Sequence, residues 1–172
     1  MNQVVIVCVD DEPTILDSLK IELKQALNDQ YIVETAEGGE EALELMEELL
    51  EEHYEVPLVI SDYIMPDIKG DELLKRIHFI SPTTLKVMLT GQADLDAVGN
   101  AIKYAKLYRY IAKPWNTDDL ILTVSEAIKS YFQDKQLAEK NQELERKVAT
   151  FHKFVPQKFL KLLNVENCDH IK

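Results

Sequence analysis

The chain has 172 residues, 46% of them apolar, which is enough to bury one compact core with an extension but short for two full domains. Its 31 acids and 19 bases leave a net charge of −12, all of it carried by residues 1–116, with 22 acids against 10 bases. An acidic body repels nucleic-acid phosphates, and the neutral remainder offers no basic stripe, which argues against nucleic acid as a partner.

The first apolar run, VVIVCV at 4–9, reads as a strand buried on both faces. At six residues it is too short for a signal peptide or a membrane span, which predicts a cytoplasmic protein with no membrane partner. A helix follows at 13–27, with Pro13 suited to its first turn and Ile15, Leu16, Leu19, Leu23 and Leu27 on one stripe. The pattern recurs four times. A strand at 31–36 precedes a helix bearing Ala42, Leu45, Met46, Leu49 and Leu50. The glutamate-rich stretch 37–55, with nine glutamates and no base, reads as the wet face of that helix. Strands at 58–61, 86–90 and 108–112 precede helices near 71–79, 93–104 and from 117 onward. Five strands each followed by a helix predict an α/β fold, a parallel sheet with helices on both faces.

Asp10 and Asp11 follow the first predicted strand, Asp62 the third, Thr90 ends the fourth and Lys113 follows the fifth. All lie at the carboxyl edge of the sheet, where open α/β folds bind ligands beside a topological switch point. Three carboxylates brought together repel one another and require a cation. A cluster of oxygens without cysteine or histidine suits Mg²⁺. Lys113 and Thr90 supply a positive charge and a donor for an anion sharing that metal. The set points to phosphoryl chemistry. Singly, each element has a plain account: 10–12 can cap a helix, Asp62 can be a turn aspartate, and Thr90-Gly91 and Lys113-Pro114 can be a strand end and a loop. Four such elements in order on one edge carry the site. His53, His78, His152 and His170 fall outside the cluster and read as surface or packing residues. Cys8 and Cys168 lie far apart and suggest neither a disulfide framework nor a zinc site. No Gly-rich phosphate loop, GxSxG elbow or HExxH motif signals an independent enzyme domain.

VVIVCVDDEP, LVISDYIMPDIKG, VMLTG and YRYIAKPW together resemble the receiver domain of two-component response regulators over about residues 1–131. The resemblance implies a flavodoxin-like, doubly wound sheet of order 2-1-3-4-5 with a long last helix. It implies that Asp62 takes a phosphoryl group from the phosphohistidine of a sensor histidine kinase or phosphotransfer protein. Asp11, Asp62 and the backbone carbonyl of Ile64 would hold Mg²⁺, with Asp10 acting mainly through water. Thr90 and Lys113 would bind phosphoryl oxygens, Tyr110 would be an aromatic switch, and Lys113–Pro114 would be cis. The physics agrees: an acyl phosphate draws Thr90 and Lys113 inward and opens space that Tyr110 can fill. Without the motif, Tyr110 is an ordinary strand tyrosine, and Trp115 reads as core beside the fifth helix.

The division expected is a receiver at 1–130 and a helical or coiled-coil linker at 131–172, leading to an output domain beyond residue 172. Leu137, Asn141, Leu144, Val148 and Phe151 are spaced 4, 3, 4 and 3, which suggests a homodimer through this helix, although a lone amphipathic helix folded elsewhere fits the same spacing. The helical period runs on to about 151, and 154–164 reads as a break at Pro156 and one more short amphipathic helix. The stretch 151–164, FHKFVPQKFLKLLN, resembles the linker preceding class III nucleotide-cyclase domains. A competing class is the haloacid-dehalogenase type of Mg²⁺-dependent phosphohydrolase, but its nucleophile lies in a DxD pattern on the first strand, where this chain has DD. A DNA-binding regulator needs a further ~60–100 residues for its output domain, more than the tail provides.

Overall fold

An uninterrupted apolar strand is stable only when covered on both faces, and Val4–Val9 (β1) takes such an interior position, between β2 (Ile32–Ala36) and β3 (Glu55–Asp62). The computed structural model describes residues 2–91 and 95–154. β4 (Leu85–Thr90) and β5 (Arg109–Ala112) complete a five-stranded, all-parallel sheet of order β2-β1-β3-β4-β5, the order the resemblance implies. Chain order reverses at β1, which puts the switch point between β1 and β3.

Side-chain alternation along the strands divides the core in two. Ile6 and Cys8 of β1, Leu58 and Ile60 of β3, and Val87 and Leu89 of β4 face α1 (Pro13–Ala26) and the first turns of α5 (Thr117–Phe154). Val5, Val7, Val9, Val59 and Met88 face α2 (Gly39–Glu51), α3 (Gly70–Ile80) and α4 (Leu95–Ala105). The glutamates of α2 stand on its wet face, as predicted. The chain divides into two compact units, Met1–Phe132 and Gln133–Lys172. No helix among the described residues is long and apolar enough to cross a membrane.

Two boundaries differ from the sequence reading by three residues. β3 starts three residues earlier than the predicted 58, because the irregular register between Val4↔Glu55 and Ile6↔Leu58 inserts one extra residue around Pro57, which has no N–H to offer the ladder. α5 runs three residues past the predicted 151, to Phe154. The predicted start of α4 at 93, and the break at Pro156 with the short helix after it, lie outside the described residues.

Among the described residues, one base is buried within the sheet. Lys86 of β4 is 1% exposed, and its Nζ lies 2.8 Å from Nδ1 of His78 on α3. Burial, with the nearby charge of Lys106, pulls the Lys86 pKa down to about 8, and burial with the charges of Lys86 and Lys106 pulls His78 down too. A neutral His78 accepts a hydrogen bond from the ammonium at Nδ1. Because the folded-state pKa lies below the unfolded one, the charge is a penalty below pH 8 that lifts as pH rises towards 10.5. Lys86→Met should therefore be more stable than wild type at pH 7 by about 1–3 kcal/mol, the gap narrowing between pH 8 and 10.5 in denaturant melts.

Candidate functional site

The register of β1 on β3 pairs Val9 with Ser61, so the next residues, Asp10 and Asp62, leave adjacent strands side by side. Asp10 is fully buried. Its backbone N–H donates to the Ala36 carbonyl (3.2 Å), and its Oδ1 accepts from the Glu12 N–H (2.9 Å). Asp11 is exposed, and one carboxylate oxygen from each of Asp10, Asp11 and Asp62 lies within 4.8 Å of the others. Lys113 enters from the end of β5, the edge strand: its Nζ is 2.7 Å from Asp10 Oδ2 and 3.1 Å from Asp62 Oδ1. Its backbone N–H donates to the Thr90 carbonyl, and the Lys113–Pro114 bond is cis.

Burial and the charge of Asp10 raise the pKa of Asp62, against the opposing charge and hydrogen bond of Lys113 and the N–H of Tyr63 at 2.8 Å. Burial works against the Lys113 ammonium, but its bonds and charge interactions with Asp10 and Asp62 win, and its pKa is raised. The result is a carboxylate more basic than usual beside a firmly held cation. Three carboxylates against one lysine leave the cluster short of positive charge, and oxygen donors at this spacing fit a hard metal ion.

The loop leaving β3 is fixed by backbone contacts. Tyr63 N–H donates to the Leu89 carbonyl (3.0 Å), and Gly70 N–H donates back to the Tyr63 carbonyl (2.8 Å). A Cβ at position 70 would collide with the Asp62 carbonyl, so only glycine lets α3 start this close to the site. Asp67 ties the same loop to α2: its Oδ2 accepts from Glu40 N–H at 2.9 Å. Slight burial works against that carboxylate, but the N–H groups of Glu40, Ile68 and Gly39 hold its pKa below the usual range. The sequence reading assigned no role to Gly70 or Asp67. The available signal was the Asp-x-x-Gly of PDIKG, an acid and a glycine flanking a turn.

The structure thus brings Asp10, Asp11, Asp62 and Lys113 together. Thr90 stands buried at the end of β4, one residue beyond Leu89, which registers with Asp62. The Ile64 side chain is exposed at 69%, two residues past Asp62. Tyr110, paired with Met88, lies outside the pocket and is half-exposed on β5. Trp115 packs on the α1/α5 core, as expected, and its indole N–H also reaches Glu22 of α1 at 3.0 Å.

Residues 6–125 match the family described as the response regulator receiver domain. The chain belongs to that family. It is 30% identical over 129 residues to the hydrogenase transcriptional regulatory protein HoxA of Cupriavidus necator, covering 75% of this chain and 25% of that one. The chain spans about a quarter to a third of the length of the first curated relatives it matches. Among solved structures, the signal receiver domain of an HD domain-containing protein from Pseudomonas fluorescens Pf-5 is 32% identical, with a TM-score of 0.68, over 79% of this chain and 94% of that one. A structure described as adenylate cyclase from Rhodopirellula baltica is 28% identical, with a TM-score of 0.66, over 86% of this chain and 99% of that one. As a receiver, the chain is a phosphoacceptor with its acidic pocket at Asp10, Asp11 and Asp62. Receiver domains partner histidine kinases.

Lys113→Ala removes the only cation hydrogen-bonded to both Asp10 and Asp62 among the described residues. It should destabilise the fold by about 1–3 kcal/mol at pH 7. Millimolar Mg²⁺ should raise the melting temperature of both proteins, and by more in the variant.

Proposed function

We propose that this receiver accepts its phosphoryl group on Asp62 and passes the change to the α4-β5-α5 face and the C-terminal helix. The observation that carries the reading is the position of Asp62: at the end of an interior strand, with Asp10 and Asp11 opposite and the Lys113 ammonium 3.1 Å away. A sensor histidine kinase or phosphotransfer protein presents a phosphohistidine. An Asp62 carboxylate oxygen attacks phosphorus, the P–N bond breaks, and the imidazole leaves with its electron pair. Tyr63 N–H and Lys113 both hold Asp62 Oδ1, which orients the carboxylate for that attack. Lys113 and the Thr90 hydroxyl then bind phosphoryl oxygens.

Mg²⁺ is the ion this reading gives the pocket: Asp11, Asp62 and the Ile64 backbone carbonyl would hold it, and Asp10 would act through water. When bound, it supplies the positive charge that three carboxylates and a phosphoryl group need. Thr90 and Lys113 shift towards the new anion, and Tyr110, half-exposed on β5, turns inward behind Thr90. The reading takes 1–130 as the receiver and 131–172 as a cytoplasmic linker that self-associates and leads to an output domain beyond residue 172. The resemblance of 151–164 to cyclase linkers, with the likeness to the Rhodopirellula baltica structure, supports a nucleotide cyclase as that output.

Incubation with acetyl phosphate and Mg²⁺ should add one phosphoryl group per chain by intact mass. Asp62→Asn should abolish the addition while the fold, followed by circular dichroism, persists. Undiminished labelling of that variant would overturn the assignment.

A further inference from the structure

The described part of the second unit, residues 133–154, is all helix and carries an apolar row that no other described residue covers: Leu137, Leu144, Val148 and Phe151 are 48–60% exposed. With Asn141 they repeat at 4, 3, 4 and 3, so that Leu137, Leu144 and Phe151 take d positions while Asn141 and Val148 take a positions. We propose that residues 137–151 form a parallel, in-register two-stranded coiled coil with a second copy of this chain. The proposal rests on the reading of this helix as a self-association element and deepens it by fixing partner, orientation and register.

Two features select this geometry. The first is the row itself. Leucine at d, β-branched valine at a and a single asparagine at a are the choices that favour two parallel strands, since paired asparagines satisfy one another only when they meet across the seam in register. The second is the flanking charge. In this heptad Lys140 and Lys147 occupy g positions, and Glu145 and His152 occupy e positions. Parallel strands bring each g residue beside the e residue five positions on in the other copy, so Lys140 meets Glu145 twice by symmetry. Antiparallel strands bring g to g and e to e, setting Lys140 against Lys147 and Glu145 against Glu145. Lys147 is already paired on its own helix, its Nζ 3.0 Å from Glu143, so the selective pair is Lys140–Glu145. Two heptads make a seam of only ~21 Å at 1.5 Å per residue, short enough for a single side chain to decide association.

Sedimentation equilibrium on the full chain at fixed salt tests the proposal. Wild type should be a reversible dimer and Leu144→Asp a monomer that keeps the wild-type receiver melt, since Leu144 is exposed in one copy. A wild type that stays monomeric would overturn self-association altogether. Lys140→Glu should weaken the dimer by about three- to tenfold, and Lys140→Glu/Glu145→Lys should restore it. An antiparallel pair predicts the reverse for the single variant, because the carboxylate it introduces would then face Lys147. A Lys140→Glu dimer that is tighter or unchanged would therefore overturn the register while leaving self-association standing.

Discussion

The Lys113 ammonium, bonded at once to the fully buried Asp10 and to Asp62, is the contact on which the site depends. A carboxylate taken out of water and set beside another is costly unless a cation answers both. Lys113 can do so because β5, at the far edge of the sheet from β2, ends level with β4, Ala112 beside Thr90, so that the next residue reaches Asp10 and Asp62. Its backbone N–H is held in turn by the carbonyl of Thr90. The residue that neutralises the pocket is thus tied directly to the end of β4.

The rest of the fold serves to hold this edge still. β1 and β3 have apolar side chains on both faces, so their ends, and the aspartates after them, are fixed by two separate cores. Asp67 and Gly70 fix the loop after β3, one by capping α2 and the other by letting α3 approach the Asp62 carbonyl. By contrast, β5 has only four residues, all at least partly exposed, and it carries Tyr110 and leads to Lys113. Two interior strands thus hold the aspartates, while the edge strand that leads to Lys113 is short and exposed.

The sheet, its helices and the pocket were legible in the sequence because each strand is a short apolar run followed by residues whose chemistry differs sharply from it. Asp10, Asp11, Asp62 and Lys113 stood out for that reason. Pro57 hid the start of β3, since a proline and a glutamate read as a loop until the bulge that accommodates them is seen. Lys86 was invisible as a buried group, because a lysine between two apolar residues reads as a strand's solvent side; only packing shows that His78 closes over it. Gly70 and Asp67 act through backbone contacts that leave little trace in composition.

The central claim, that this pocket exists to carry a phosphoryl group on Asp62, is tested most directly by locating the bond itself. The full chain would be treated with acetyl phosphate and Mg²⁺, reduced with borohydride and mapped by mass spectrometry, since an aspartyl phosphate is reduced to homoserine. The account predicts homoserine at position 62 and at no other aspartate. Homoserine at position 10 or 11, or at no position in a protein shown to have gained the phosphoryl mass, would contradict it.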